Sequence, residues 1–262
     1  MVKGNWLTEL WRFRELLYFF AWRDVKIRYK QAAFGAAWAV MQPLFTMFIF
    51  TFFFGRMAKI PSDGIPYPLF CYAALVPWTY FAGTLGQAGN SLVTNASLIT
   101  KIYFPRVLLP AAAALSGLLD FAVSSIVLLV MMVYYKVQPG WGLVFWPIAV
   151  LGMVLVSMGI SMLFAAMNVR YRDVKHVIPF LVQLGLFVTP VIYPPDFLPA
   201  RFRPWLALNP LSGVMETFRA CLFPHRSLDL HVVGTSVAIA LLLFVIGVLY
   251  FRKAERSFAD II

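Results

Sequence analysis

The sequence predicts an all-α membrane protein. It has six transmembrane helices, an N-terminal amphipathic interface helix, and an external re-entrant helical hairpin between spans five and six. Three observations predict this class. First, apolar residues make up 61% of the chain and charged residues 13%, against about 45–50% and about 25% in soluble domains. Mean hydropathy is +0.80, and a chain this apolar needs lipid as solvent for much of its surface. Second, apolar stretches recur at lengths suited to about 30 Å of hydrocarbon. Third, Lys and Arg gather in alternate connections, as the positive-inside bias demands.

The elements follow in order. Trp6–Lys30 carries Leu7, Leu10, Trp11, Leu17 and Tyr18 at helical spacing, extended by Phe13, Leu16 and Phe20. Bases fall mostly between them, the signature of a helix lying in the headgroup plane. It has no short apolar core followed by a small-residue cleavage site, so it does not read as a signal peptide. Such a helix positions span one or docks a cytoplasmic partner; the sequence leaves both roles open. Arg23, Lys26, Arg28 and Lys30 then run straight into span one, about Phe34–Phe54, which has no charge. Span two runs from about Tyr67 to Leu92, with Pro77 near its middle.

Span three, about Val107–Tyr135, holds one charge, Asp120. An ionisable group inside a span is a functional candidate, because burial costs about 2.5 kcal/mol or more. The plain alternative is an Asp bonded to Ser116 or Ser124 one turn away. Span four runs from about Leu143 to Asn168. Span five is short, about His176–Tyr193, with Pro179 and Pro190 near its ends. Span six runs from about Val232 to Phe251. No repeat or linker divides the chain. It reads as one domain, 1–262: interface helix 1–30, spans one to five 31–193, external hairpin 194–230, span six and tail 231–262.

The segment Pro194–His231 is too apolar for a solvated loop and too rich in proline for a span. Two short helices fit, Pro199–Leu208 and Leu211–Phe223. Asn209–Pro210 breaks them, because a residue before proline avoids the helical region. Non-helical backbone at membrane depth must be shielded by protein or line a wet cavity. The alternative is an interfacial loop held down by Phe202, Trp205 and Phe218.

With the N-terminus inside, fifteen of the 22 bases fall on the inner side, and both termini are expected in the cytoplasm. The bases lie between spans and not on a soluble face, so lipid headgroups are their expected partners and nucleic acid is not. Catalytic patterns are missing. His176, His225 and His231 belong to no HExxH, and Cys71 and Cys221 have no metal-ligand spacing. G-x-S-x-G and the phosphate-binding G-x-x-x-x-G-K-[ST] are both absent. Uphill transport would therefore draw on an ion gradient or on another chain.

Four blocks carry a family resemblance. RDVKIRYKQAAFGAAWAVMQPL (Arg23–Leu44) resembles the start of span one in the membrane subunit of type-2 ABC exporters for bacterial polysaccharides: O-antigen, capsule and teichoic acid. NASLITKIYFPRVLLP (Asn95–Pro110) resembles that family's cytoplasmic loop between spans two and three. YRDVKHVIPFLVQLGLFVTPVIYPPDFLP (Tyr171–Pro199) resembles its fifth span, and NPLSGVMETFR (Asn209–Arg219) the second half of its external hairpin. The blocks stand in the family's order and cover nearly the whole chain. The departures lie in apolar residues that would face substrate.

The resemblance implies a homodimer with two cytoplasmic ATPase subunits, in the bacterial cytoplasmic (inner) membrane. MgATP would sit on the partner, with no cofactor and no catalytic residue in this chain. The implied substrate is a glycan on a polyprenyl-diphosphate lipid. Ser97, Leu98, Ile99, Lys101 and Tyr103 would couple to the ATPase. Arg28, Lys30, Arg170, Arg172 and Lys175 would meet the diphosphate, since arginine holds phosphate oxygens in parallel pairs; positive-inside anchoring is the other reading of each. Trp38, Phe45, Phe48 and Phe52 on span one, with Phe180, Phe187 and Tyr193 on span five, would form a channel wall of flat rings. As a pattern alone, such a stripe also fits a lipid-facing or packed surface. Trp205, Asn209, Pro210 and Arg219 would belong to the external gate.

Three other classes make different demands. A secondary carrier needs inverted repeats and paired intramembrane charges. A membrane transferase on polyprenyl lipids needs a carboxylate or histidine cluster, to which only Asp173 and His176 come near. A type-2 exporter of lipids or drugs would share the whole framework.

Overall fold

The computed structural model describes residues 11–30, 37–171, 173–224, 230–255 and 258. Among these the regular elements are all helical. Helix α1 is Arg14–Lys30 and α2 is Ala37–Phe50, which runs on into a wider turn at Thr51–Met57. Helix α3 is Tyr67–Thr94, α4 the short Ala96–Lys101, and α5 Leu108–Tyr134. A tight turn at Trp141–Phe145 leads into α6, Trp146–Arg170, and then α7, Val174–Val188. Helices α8, Arg203–Leu208, and α9, Pro210–Leu222, precede α10, Leu230–Glu255.

Five helices are long and apolar enough to cross a membrane: Ala37–Met57, Tyr67–Thr94, Leu108–Tyr134, Gly142–Arg170 and Val233–Glu255. The start of predicted span one, Phe34, lies outside the described residues. The predicted fifth span is the exception. Helix α7 has 15 residues, which is about 22 Å at 1.5 Å per residue. It stops at Val188 because Pro190 pushes Thr189 into extended backbone (ψ 140°). The chain stays buried from Thr189 to Ile192 without being helical.

Helix α3 is the axis of the bundle. Leu69, Phe70, Cys71, Tyr72, Ala73 and Ala74 on it are fully buried. Helices α5 and α6 flank it, and α10 packs outside α6. The α6–α10 seam is narrow because it is built on glycine. A Cβ added at Gly247 would lie 2.1 Å from the Gly159 carbonyl oxygen, and one at Gly159 would lie 2.6 Å from Phe244 Cα. Small residues let helix backbones approach where lipid supplies no hydrophobic drive.

At one end of the bundle Phe20 of α1 packs with Leu92, Ile99, Phe104, Leu108, Phe251 and Phe258. Phe13, Leu16, Leu17 and Phe20 pack inward, whereas Trp11 and Tyr18, read from their spacing as part of the same apolar stripe, stand outside with Phe19 and Trp22; Leu7 and Leu10 lie outside the described residues. Arg106 binds Glu255 at the same end, its amide donating to Oε1 at 3.0 Å. Helices α1 and α4 and the end of α10 therefore share one face. Helix α9 packs against α3, α6 and α10 and joins the main core through Leu211, Met215 and Phe218. The break between α8 and α9 falls at Asn209, as the sequence predicts. Cys71 and Cys221 are both buried free thiols.

Candidate functional site

A cavity of about 600 Å³ opens between α2, α3, α5 and α7. Its polar wall comes mainly from α3, where Thr79, Gly83 and Gln87 recur every four residues and so lie on one stripe. Gln42 and Thr46 of α2 face them by the same spacing. Asp120 and Ser124 of α5 add to the wall, and Val182 and Leu186 of α7 supply its apolar side. The Ser124 hydroxyl donates to the Ala39 carbonyl at 3.3 Å, tying α5 to α2 beside the cavity.

At one margin of the cavity the end of α1 reaches in. Arg28 forms an ion pair with Asp120 through one guanidinium nitrogen. The other donates to Gln87 Oε1 and lies 3.5 Å from Ser116 Oγ. The Tyr29 hydroxyl donates to the second Asp120 oxygen. Asp120 is thus satisfied by α1, whereas its own helix offers only the neighbouring serines. Burial lowers the Arg28 pKa, and the Asp24 carboxylate opposes that shift. A second cavity of about 520 Å³ lies beside the first, lined by Asn90, Ser91, Thr94 and Asn95 of α3 and Asp24 of α1. Arg28, Gln87 and Ala113 line both cavities.

The other predicted bases stand on different elements. Lys30 is exposed at the end of α1, and Arg170 and Lys175 are exposed on either side of the α6–α7 turn. The Arg170 guanidinium lies 5.6 Å from the Tyr171 ring centre. Arg172 lies outside the described residues.

The predicted aromatic wall divides. Trp38 lines the cavity. Phe45, Phe48 and Phe52 are exposed on the outer side of α2, as are Phe180 and Phe187 on α7. The reason is angular: each helical residue advances about 100°, so the Gln42–Thr46 row and the phenylalanine row diverge on either side of Trp38. Tyr193 is half-buried, and its hydroxyl donates to the Phe187 carbonyl at 3.0 Å, meeting a carbonyl that the helix end leaves unpaired.

In the connecting loop Ile99 is buried and Leu98 packs against the same cluster. Ser97 and Lys101 are exposed, and Tyr103 stands out at 92% exposure. In the hairpin segment Trp205 is exposed. Asn209 caps α9, accepting from the Leu211 amide at 3.1 Å, and donates to Thr189 Oγ1 at 3.0 Å. Pro210 follows at the first helical position, where its missing amide costs nothing. Arg219 is fully buried. It donates to the carbonyls of Pro190 (2.7 Å) and Val191 (2.8 Å), pairs with Glu216 at 3.2 Å, and lies 3.7 Å over the Phe70 ring.

A sequence profile of the family described as "ABC-2 type transporter" matches residues 15–223. The chain belongs to this family. The ABC-2 transporter chain is accordingly a multi-pass membrane protein. It is 29% identical over 258 residues to the O-antigen export system permease protein RfbA of Myxococcus xanthus, covering 97% of this chain and 98% of the relative. It is 29% identical over 244 residues to the protein of the same name from Klebsiella pneumoniae, covering 92% of each. The polysialic acid transport protein KpsM of Escherichia coli is 22% identical over 240 residues, covering 90% of this chain and 92% of the relative.

Sequence reading missed two parts of this ABC-2 transporter's site. It passed over Gln42, Thr46, Thr79 and Gln87, although polar residues at four-residue spacing inside apolar spans were the available signal. It set Asp120 beside Ser116 and Ser124. The partner, Arg28, is 92 positions away, and no local pattern reports such a pairing.

Proposed function

We propose that this chain is the channel-forming membrane subunit of an ATP-driven exporter that moves a lipid-linked polysaccharide across the bacterial cytoplasmic membrane. The observation that carries the reading is the cavity between α2 and α7, where Gln42, Thr46, Thr79 and Gln87 set polar groups into a mainly apolar lining. Both helices carry exposed aromatic rows and are scarcely buried within one protomer. Two copies facing each other through α2 and α7 would join their cavities into one path with ring-lined walls, suited to sugar C–H faces. Relatives named for O-antigen export and polysialic acid transport, matched nearly end to end, support a glycan as cargo.

The end holding α1, α4 and the end of α10 faces the cytoplasm in this reading, with its bases inside. Tyr103 and Lys101 meet an ATPase subunit, and Ile99 roots that contact in the core. ATP is bound and hydrolysed by the partner. The buried stretch Thr189–Ile192 completes the fifth crossing that α7 begins, making six spans, and α8–α9 form the external re-entrant gate. Arg28 receives the diphosphate, with Lys30, Arg170 and Lys175 nearer the headgroups and Arg172 sharing the same role.

The test is co-purification with the ATPase encoded beside it, followed by mass spectrometry of the bound lipid. A retained polyprenyl-diphosphate glycan supports the reading. ATP hydrolysis by this chain alone, or retention of a drug-like or glycerolipid cargo only, overturns it.

A further inference from the structure

Arg28 stands where two cavities meet. The upper one lies among the membrane helices, and the lower one runs along α3 past Asn90 and Thr94 to Asn95 at the start of the connecting loop. The two share Arg28 and Gln87, and the Arg28–Gln87 contact closes the join from α1 to α3. Asp120 fixes the same guanidinium from α5. Asp24, the carboxylate on Arg28's own helix, is held by Arg23 at 2.9 Å. One carboxylate on α5 thus keeps a forked cation where two mainly apolar cavities meet.

That carboxylate is a poor permanent partner. Both side chains remain about one quarter exposed (25% and 26%), so neither gains the full benefit of a dry pair nor bears its full cost. A guanidinium fork fits two phosphate oxygens as well as two carboxylate oxygens. A phosphate or diphosphate also carries more charge than Asp120.

We propose that the Arg28–Asp120 pair is an exchangeable latch: a phosphate-bearing ligand entering the lower cavity replaces Asp120 on Arg28 and thereby connects the two cavities. This rests on the reading of Arg28 as part of the diphosphate entrance. Asp120 then serves as an internal stand-in for the ligand's anion, holding the passage shut when no ligand is present. Tyr29 keeps the released carboxylate supplied with a donor.

The experiment uses the full chain in phosphatidylcholine nanodiscs, titrated with geranylgeranyl diphosphate and, separately, inorganic diphosphate. Asp120→Asn is expected to bind the probe about tenfold more tightly, Arg28→Gln to lose at least about tenfold, and the double variant to match Arg28→Gln. This pattern with the lipid probe alone assigns the latch to a lipid headgroup; with both probes it assigns it to phosphate generally. If Arg28→Gln loses binding while Asp120→Asn gains none, the latch is wrong and the entrance reading survives. If Arg28→Gln binds normally, both fall.

A readout that keeps the ion pair intact covers the case in which Asp120→Asn does not fold. Cysteine at Gly83, in the upper cavity, or at Gly86, in the lower one, meets no atom within 4 Å of the added Cβ. In sealed inverted vesicles, saturating geranylgeranyl diphosphate is expected to speed labelling of Gly83→Cys by an impermeant charged thiol reagent by about threefold or more, and not that of Gly86→Cys. Unchanged labelling at Gly83→Cys at saturation overturns the latch.

Discussion

Arg219 takes the place of water for backbone that has left its helix. The carbonyls of Pro190 and Val191 have no helical partners, and the guanidinium supplies two short donors while Phe70 covers its face. Arg219→Ala is expected to cost about 3–5 kcal/mol, because it takes the donors from two buried carbonyls and removes the ion pair with Glu216. Arg219→Lys restores the charge but not the fork, so it should recover less than half of that loss. Thermal unfolding followed by size exclusion in detergent checks both. A residue read from sequence as a gate charge is, in the structure, bonded to the backbone it supports. Its burial was not legible, because an Arg in NPLSGVMETFR looks the same whether it faces water or the core.

At the scale of elements, the α6–α10 seam and the loop after α3 make opposite demands. Gly247→Ala drives a Cβ into the Gly159 carbonyl and should lower stability by about 1–3 kcal/mol through overpacking. Gly152→Ala on the same α6 meets nothing within 4 Å and should be neutral or slightly stabilising. Melting temperatures of the two variants decide the point. In the loop, Tyr103→Ala should leave the fold intact but weaken the coupling of ATP hydrolysis to transport in the assembled complex. Ile99→Asp should destabilise the chain itself by burying a charge. Coupled ATPase assays beside unfolding curves separate the two. Long elements were legible: α3, α5 and α6 lie within three residues of their predicted boundaries, since an uninterrupted apolar run has only one way to cross lipid. Helix α7 ends at the local signal of Pro190, short of the predicted Tyr193; what the sequence did not show is the donor for the carbonyls beyond it, which comes from Arg219, 29 positions on.

For the whole molecule, the proposed sidedness makes the most direct test. Cysteine at Tyr103 or Lys253 should react with an impermeant thiol reagent in inverted vesicles, and cysteine at Lys136 or Arg203 in right-side-out ones. Agreement of Lys136 with Tyr103 would break the proposed topology. The exposed rows on α2 and α7 bear on assembly as well. If two copies pair as proposed, Phe48→Ala should leave the pairing and the partner subunit's ATP hydrolysis intact and lower export, read as surface glycan, because the ring is exposed and adds nothing to the core. Of the residues picked from the sequence, Arg28, Trp38 and Asp120 line the cavity; the cavity itself came only from the fold, since its lining is drawn from five helices.

The shortness of α7 reaches beyond the protein. An apolar helix of 15 residues covers about 22 Å of a hydrocarbon layer about 30 Å thick. Beside the Phe180–Phe187 row that the proposed second copy would cover, Val177, Leu181, Leu184 and Val188 form another exposed apolar row. Any lipid packed against that face meets a hydrophobic mismatch, and the bilayer must thin or its chains must tilt to match it. The membrane beside α7 is therefore expected to be thinned before a substrate arrives. A lipid with a very long, irregular tail loses less chain order there than elsewhere, so bilayer thickness becomes a variable on which transport by this protein should depend.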